Sequence, residues 1–252
     1  MIRFIAAGAL ALVLAATARD ASALSGADKA AKLIAALKAA SGGAALDRPD
    51  GFHESGTLVR DGKAGVYEYW GDLRTLRSAG GHTVDGASGA GGYDGKAAWS
   101  IDPKGRVFID ATPKAVKAAR LGAYVSIGGY FYPDRFPARF VYRGRRRQGA
   151  AAYDVVAVTP EGGDTAELWL DRQSHRLARL VADSDGVHSE GEIVRYQVVD
   201  GTWIGFELSQ SEGPHHMTQQ LEHYVYGPVD PARFSPPGAD APAASPSGTP
   251  RP

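Results

Sequence analysis

From residue 51 onward, hydrophobic and polar positions alternate along the chain, in short runs with abrupt breaks between them. The runs 57–59, 66–70, 98–101, 139–142 and 153–158 are rich in β-branched and aromatic residues. So are 167–171, 176–181, 193–196, 203–208 and 223–226. A period of two in such runs predicts strands. Asp-Gly pairs stand at 50–51, 61–62, 85–86, 94–95, 185–186 and 200–201. They suit hairpin turns because both residues tolerate positive φ. Most runs follow one another with no helical stretch between, which predicts an antiparallel meander rather than βαβ units.

Two stretches carry the helical period instead. Over 25–41, Ala30, Leu33, Ile34 and Leu37 share one face, and Lys29, Lys32 and Lys38 point away from it. Ser25 with Asp28 resembles a capping box, and Gly42-Gly43 ends the helix. A second helix is predicted over 113–127, with Thr112 as its N-cap and Pro113 at its first position. Its faces are small or apolar apart from Lys114, Lys117 and Arg120, and Gly128-Gly129 stops it. Inserted midway in a curled sheet, this helix is expected to lie across the concave face. The expected fold class is therefore mainly β (α+β). A curled antiparallel sheet forms an incomplete barrel, and the N-terminal and mid-chain helices cover its open face.

The two ends have a different character. Met1-Ile2-Arg3 is a short positive start, 4–18 is almost wholly apolar or small, and Ala21-Ser22-Ala23 is a small-x-small site. This order predicts a secretory signal peptide over 1–23, cleaved after Ala23, with Ala16-Thr17-Ala18 as the second choice of site. The apolar stretch falls short of the ~20 residues that a membrane span needs. Residues 238–252 are dominated by Pro, Ala, Ser and Gly and read as a disordered tail. One domain is expected over 24–237.

Composition narrows the function classes. Lys+Arg 28 balances Asp+Glu 28, without the basic excess usual in a nucleic-acid binder. The chain has no cysteine, which excludes disulfides, cysteine-ligated metal, a thiol nucleophile and a lipidated N-terminal cysteine. A mature chain of this length, 44% hydrophobic, can hold a core without disulfides.

Candidate chemistry is sparse. His215, His216 and His223 make the one local histidine cluster, but adjacent residues of a strand face opposite ways, so an exposed turn is expected there rather than zinc. Asp164-Thr165-Ala166 is similar to an aspartic-protease loop but lacks the apolar strand before it. Ser88 lies in a glycine-rich stretch, 86–92, expected to be a mobile loop and a poor place for a nucleophile. Arg143 and Arg145-Arg146-Arg147 are expected at a solvated hairpin end, with attraction to anionic headgroups as the alternative. No cofactor or metal is expected.

The aromatic residues remain. A curled sheet turns one face of each strand inward, where side chains form core or line a cavity. The candidates for ligand contact are Tyr67, Tyr69, Trp99, Ile101, Leu121, Tyr124, Phe140, Tyr142, Leu168 and Leu170.

Several stretches in a fixed order resemble a known family. They are Tyr93-Asp94-Gly95-Lys96-Ala97-Ala98-Trp99, Phe131-Tyr132-Pro133-Asp134-Arg135-Phe136-Pro137 and Tyr153-Asp154-Val155-Val156-Ala157-Val158-Thr159-Pro160. Glu167-Leu168-Trp169-Leu170-Asp171 follows, with Arg176-Leu177-Ala178-Arg179, then Val199-Asp200-Gly201 and a closing motif over 228–237. Together they resemble the LolA/LolB-like lipoprotein-carrier superfamily. The likeness is greater still to the lipoprotein-localisation-like domain that precedes retropepsin-like domains in some bacterial secreted proteins. The resemblance implies a half-barrel around an apolar cavity and a periplasmic role in binding lipid or lipoprotein acyl chains. No protease domain is expected after the closing motif.

The leading expectation is a monomeric periplasmic carrier for a hydrophobic ligand such as lipid or an acyl chain, with no enzymatic activity and no nucleic acid as partner. An envelope protein as partner and transient contact with a membrane surface are compatible with it. A cell-envelope interaction or assembly domain with a filled core is the alternative. An unrecognised hydrolase, which would need converging His and carboxylate groups, stands third.

Overall fold

The computed structural model describes residues 25–184 and 186–237. The expected leader (1–23) and tail (238–252) lie outside the described residues.

Among the described residues thirteen strands form one sheet, and every neighbouring pair is antiparallel. They are β1 (Gly51–Arg60), β2 (Lys63–Asp72), β3 (Arg77–Val84), β4 (Ala87–Tyr93), β5 (Ala98–Ile101), β6 (Val107–Asp110) and β7 (Ala138–Gln148). Then come β8 (Ala151–Pro160), β9 (Ala166–Asp171), β10 (Leu177–Ser184), β11 (Val187–Val199), β12 (Thr202–Glu212) and β13 (His215–Tyr226). The order across the sheet is 6-5-4-3-2-1-13-12-11-10-9-8-7. Two meanders are thus joined where β1 pairs with β13. The two free edges, β6 and β7, are consecutive in the chain, and helix α2 (Pro113–Ser126) connects them. The sheet does not close. With α2 and α1 (Gly26–Ser41) packed on it, the fold is an incomplete antiparallel barrel covered by helices.

Local chemistry explains the elements. The Ser25 hydroxyl accepts from the Asp28 N–H and donates to its carboxylate, and Gly42 ends α1 at φ 139°. The Thr112 hydroxyl caps α2, and Gly128 follows it in the left-handed region. Asp61-Gly62, Asp85-Gly86 and Asp200-Gly201 all have positive φ at both positions and turn the β1–β2, β3–β4 and β11–β12 hairpins. Asp50-Gly51 instead enters β1, and the Asp94 carboxylate accepts from the N–H groups of Lys96 and Ala97.

Three strands escaped the alternation pattern: β3, β4 and β6. The stretch expected to be a mobile glycine-rich loop is mostly strand β4, because its backbone bonds to β3 on one side and β5 on the other. The arginine cluster, expected at a hairpin end, lies within β7, which continues past a bulge near Arg143 to a turn at Gly149. Among the described residues no helix is long and apolar enough to cross a membrane.

The main core lies between the helices and the sheet. Ala30, Ile34 and Leu37 of α1 and Leu121, Ala123 and Tyr124 of α2 meet Val156, Val158, Leu168 and Leu170. A second, smaller core lies apart from it, where Phe234 of the 3-10 turn Pro231–Phe234 packs on Trp99 and Ala79. The Trp99 indole N–H donates to the buried Phe234 carbonyl at 2.8 Å. Trp99→Phe leaves that acceptor unpaired and is expected to cost about 1–2 kcal/mol in urea denaturation. An unchanged midpoint would mean that this bond does not hold the closing segment.

Candidate functional site

Strands β1, β2 and β10–β13 enclose a partly open cavity of about 580 Å³ under the end of α2 and the 129–132 segment. Cross-strand register builds its wall in rows. Tyr69, Glu54 and Tyr224 lie directly opposite one another on β2, β1 and β13, and Gly71, Phe52 and Tyr226 form the next row. Phe52 stacks on Tyr224 at 5.1 Å between ring centroids. A side chain at Gly71 would collide with the Phe52 ring at 2.3 Å, so the glycine makes room for that stack.

The roof is aromatic as well. Tyr130 and Tyr132 line the cavity, and the Tyr132 hydroxyl donates to the Leu46 carbonyl at 2.7 Å. At the rim, the Arg176 guanidinium lies 3.6 Å over the ring of Trp203, and its Nε donates to the Ala40 carbonyl near the end of α1. These contacts tie helix α1 to the cavity wall.

Polarity changes along the strands. Toward the β12–β13 turn the lining becomes Ser189, Glu190, Gln210, Glu212, Met217 and Gln219. Gln210 donates to Gln219 at 2.7 Å, and Glu190 pairs with Arg179 at 2.9 Å. The cavity therefore has an aromatic end and a polar end.

Glu54 is the exception in the aromatic part. It has no hydrogen-bond or ion-pair partner among the described residues, and burial pushes its carboxyl up from 4.5 to about 7. Protein surrounds it, and what surface it keeps borders the cavity. Its tyrosine neighbours stay neutral: burial raises Tyr69 to about 12, Tyr67 further, and Tyr224 well above the usual tyrosine value.

The ten sequence candidates separate in space. Tyr67 and Tyr69 are on the cavity wall. Trp99 and Ile101 belong to the second core with Phe234. Leu121, Tyr124, Leu168 and Leu170 fill the main core, with Phe140 and Tyr142 half-buried against it. Tyr142 donates to Asp154 at 2.7 Å and lies under the Lys29 ammonium, away from the cavity. Sequence reasoning missed Phe52, Glu54, Tyr196, Tyr224 and Tyr226. Alternation of Phe52 with Glu54 and of Tyr224 with Tyr226 marks each pair as sharing a face, which was the available signal.

His215 contacts Asp61 at 2.8 Å, His188 contacts Asp183 at 2.8 Å and His53 contacts Glu68 at 3.5 Å. None of these six residues lines the cavity. Among the described residues no group of three or more His, Cys, Asp or Glu could hold a metal ion.

No family model matches the chain, and no curated protein matches it. Solved structures do. A DUF1329 family protein from Desulfovibrio piger superposes with a TM-score of 0.54 at 11% identity, over 83% of this chain and 97% of its own. The LolA superfamily protein NE2245 from Nitrosomonas europaea gives 0.53 at 9% identity, over 82% and 97%. A domain described as an outer membrane lipoprotein-sorting protein from Vibrio parahaemolyticus gives 0.52 at 12%, over 82% and 97%. At these identities the likeness is one of architecture. The helix-covered open sheet, its aromatic cavity and these superpositions together assign the chain a LolA-like fold.

Proposed function

We propose that this chain is a periplasmic binding or carrier protein for a hydrophobic ligand, a lipid or the acyl chains of a lipoprotein. The observation that carries the reading is the cavity itself. Its 580 Å³ falls within the ~300–1,000 Å³ usual for small-molecule sites. Its aromatic wall offers apolar surface that water solvates poorly, so an apolar chain gains about 25 cal/mol per Å² on entering. The gradient from aromatic to polar lining suits an amphiphile, its tail at the Phe52 end and its head near Gln210 and Gln219. The alternative of a filled core loses ground to the same open volume. The leader expected over 1–23 supports the periplasmic location.

The test is to express the chain with its leader, purify it from the periplasm and examine it by native mass spectrometry. Co-purifying lipid is expected, as is saturable binding of a fluorescent fatty acid. A protein that carries no lipid and binds no probe would overturn the reading.

A further inference from the structure

A second pocket, of about 200 Å³, lies apart from the cavity and shares no lining residue with it. Three separate segments build it. Arg120 and Tyr124 come from α2, Arg74 and Thr75 from the β2–β3 turn, and Arg135 from the segment before β7. Phe136, Pro137 and Pro160 complete the wall, and the lining residues include no carboxylate.

The partners of these groups leave positive charge unmatched. Arg74 is paired with Asp50. Arg135 donates one Nη to the Leu73 carbonyl at 2.5 Å and lies 4.8 Å from the Tyr132 ring centroid. The Thr75 hydroxyl is engaged with Asp72 and with Arg77. Arg120 has no acceptor: its Nε is buried with no hydrogen-bond partner among the described residues. The hydroxyl of Tyr124, a residue with 0% of its surface exposed, is likewise unpartnered. A buried donor without an acceptor costs about 1–3 kcal/mol, and more when charged, so an orphan guanidinium N–H beside a cationic hollow implies a missing acceptor.

The geometry points to this pocket as a binding site for a phosphate-type oxyanion. A single planar carboxylate is satisfied by one guanidinium fork. Guanidinium groups arriving from three directions match a tetrahedral anion, whose several oxygens accept from several sides. The source is either free phosphate or the headgroup of a phospholipid. The inference does not depend on what fills the apolar cavity.

Calorimetric titration of the full chain at pH 7 tests it, with inorganic phosphate in one arm and dihexanoyl phosphatidic acid in the other, against sodium chloride at matched ionic strength. Saturable binding in either arm, weakened about tenfold in Arg120→Gln, is expected. The tighter arm identifies the source. Arg74→Gln, at an exposed side chain, guards against misfolding of the first variant and is expected to weaken binding about threefold. No saturable heat in either arm, an equal response to chloride, or unchanged affinity in both variants would overturn the assignment.

Discussion

Replacing Gly191 by tryptophan is expected to lower affinity for a fatty-acid probe by roughly sixtyfold while leaving the protein folded. Gly191 lies on β11 between Leu180 of β10 and Gln210 of β12, and all three line the cavity. A Cβ there would meet only the Gln210 Cγ, at 3.8 Å, an ordinary contact. The backbone therefore accepts a Cβ at ordinary contact distance, and the indole is expected to reach into the cavity. If it displaces about 100 Å² of ligand contact, at about 25 cal/mol per Å², the loss is about 2.5 kcal/mol. Val225→Trp serves as the control: it is 61% exposed and sits between Tyr224 and Tyr226, so it points away from the cavity. Equal binding by Gly191→Trp, with unchanged circular dichroism, would place the ligand elsewhere.

The second large effect concerns Glu54. Its folded pKa of about 7 exceeds the 4.5 of an unburied glutamate, so the folded protein holds this proton more tightly than the unfolded chain does. Stability then falls as pH rises from about 4.5 to about 7, and levels off above that. At about 1.4 kcal/mol per pKa unit the full cost is at most about 3.5 kcal/mol. Contact with water in the cavity reduces it. Glu54→Gln, the neutral isostere, is expected to match the native protein at pH 4.5 and to be about 2–3 kcal/mol more stable at pH 8. Urea denaturation at the two pH values measures the difference. A gap that does not change with pH would show that burial does not hold the proton.

The same group is expected to link pH to binding. An apolar ligand that covers Glu54 removes its last water, favouring the protonated form further. Affinity for such a ligand should decline above pH 7 in the native protein and stay level in Glu54→Gln. Neutral tyrosines on both sides, Tyr69 and Tyr224, add no competing charge in that range.

Much of the architecture was legible because its signals are local. Ser25 and Thr112 cap helices through their own hydroxyls, and Asp-Gly pairs turn three hairpins through their own φ preference. The two helices begin and end within a residue or two of the expected 25–41 and 113–127. Where side chains carry no pattern, as in glycine-rich β4, only hydrogen bonds from β3 and β5 define the strand. A residue-level pattern cannot announce pairing that depends on neighbours.

The candidate site was less legible for the same reason. Alternation divides aromatic residues into two faces but does not say which face turns inward. Tyr69 and Trp70 are adjacent on β2, yet Tyr69 lines the cavity and Trp70 packs with the second core. What separates them is remote. Phe234, which bonds Trp99, is 135 residues away from it in the chain, and the roof over Tyr69 comes from the end of α2. Glu54 became notable only when β13 brought Tyr224 opposite it and burial raised the pKa of its carboxyl. Propensity, capping and φ preference act within a few residues, so the strand-rich class, the helix limits and the turns could be read from the chain alone. Which strands meet, which face is concave and which side chains share the cavity were decided by tertiary structure, because those contacts join segments that have no means of specifying one another until the sheet has formed.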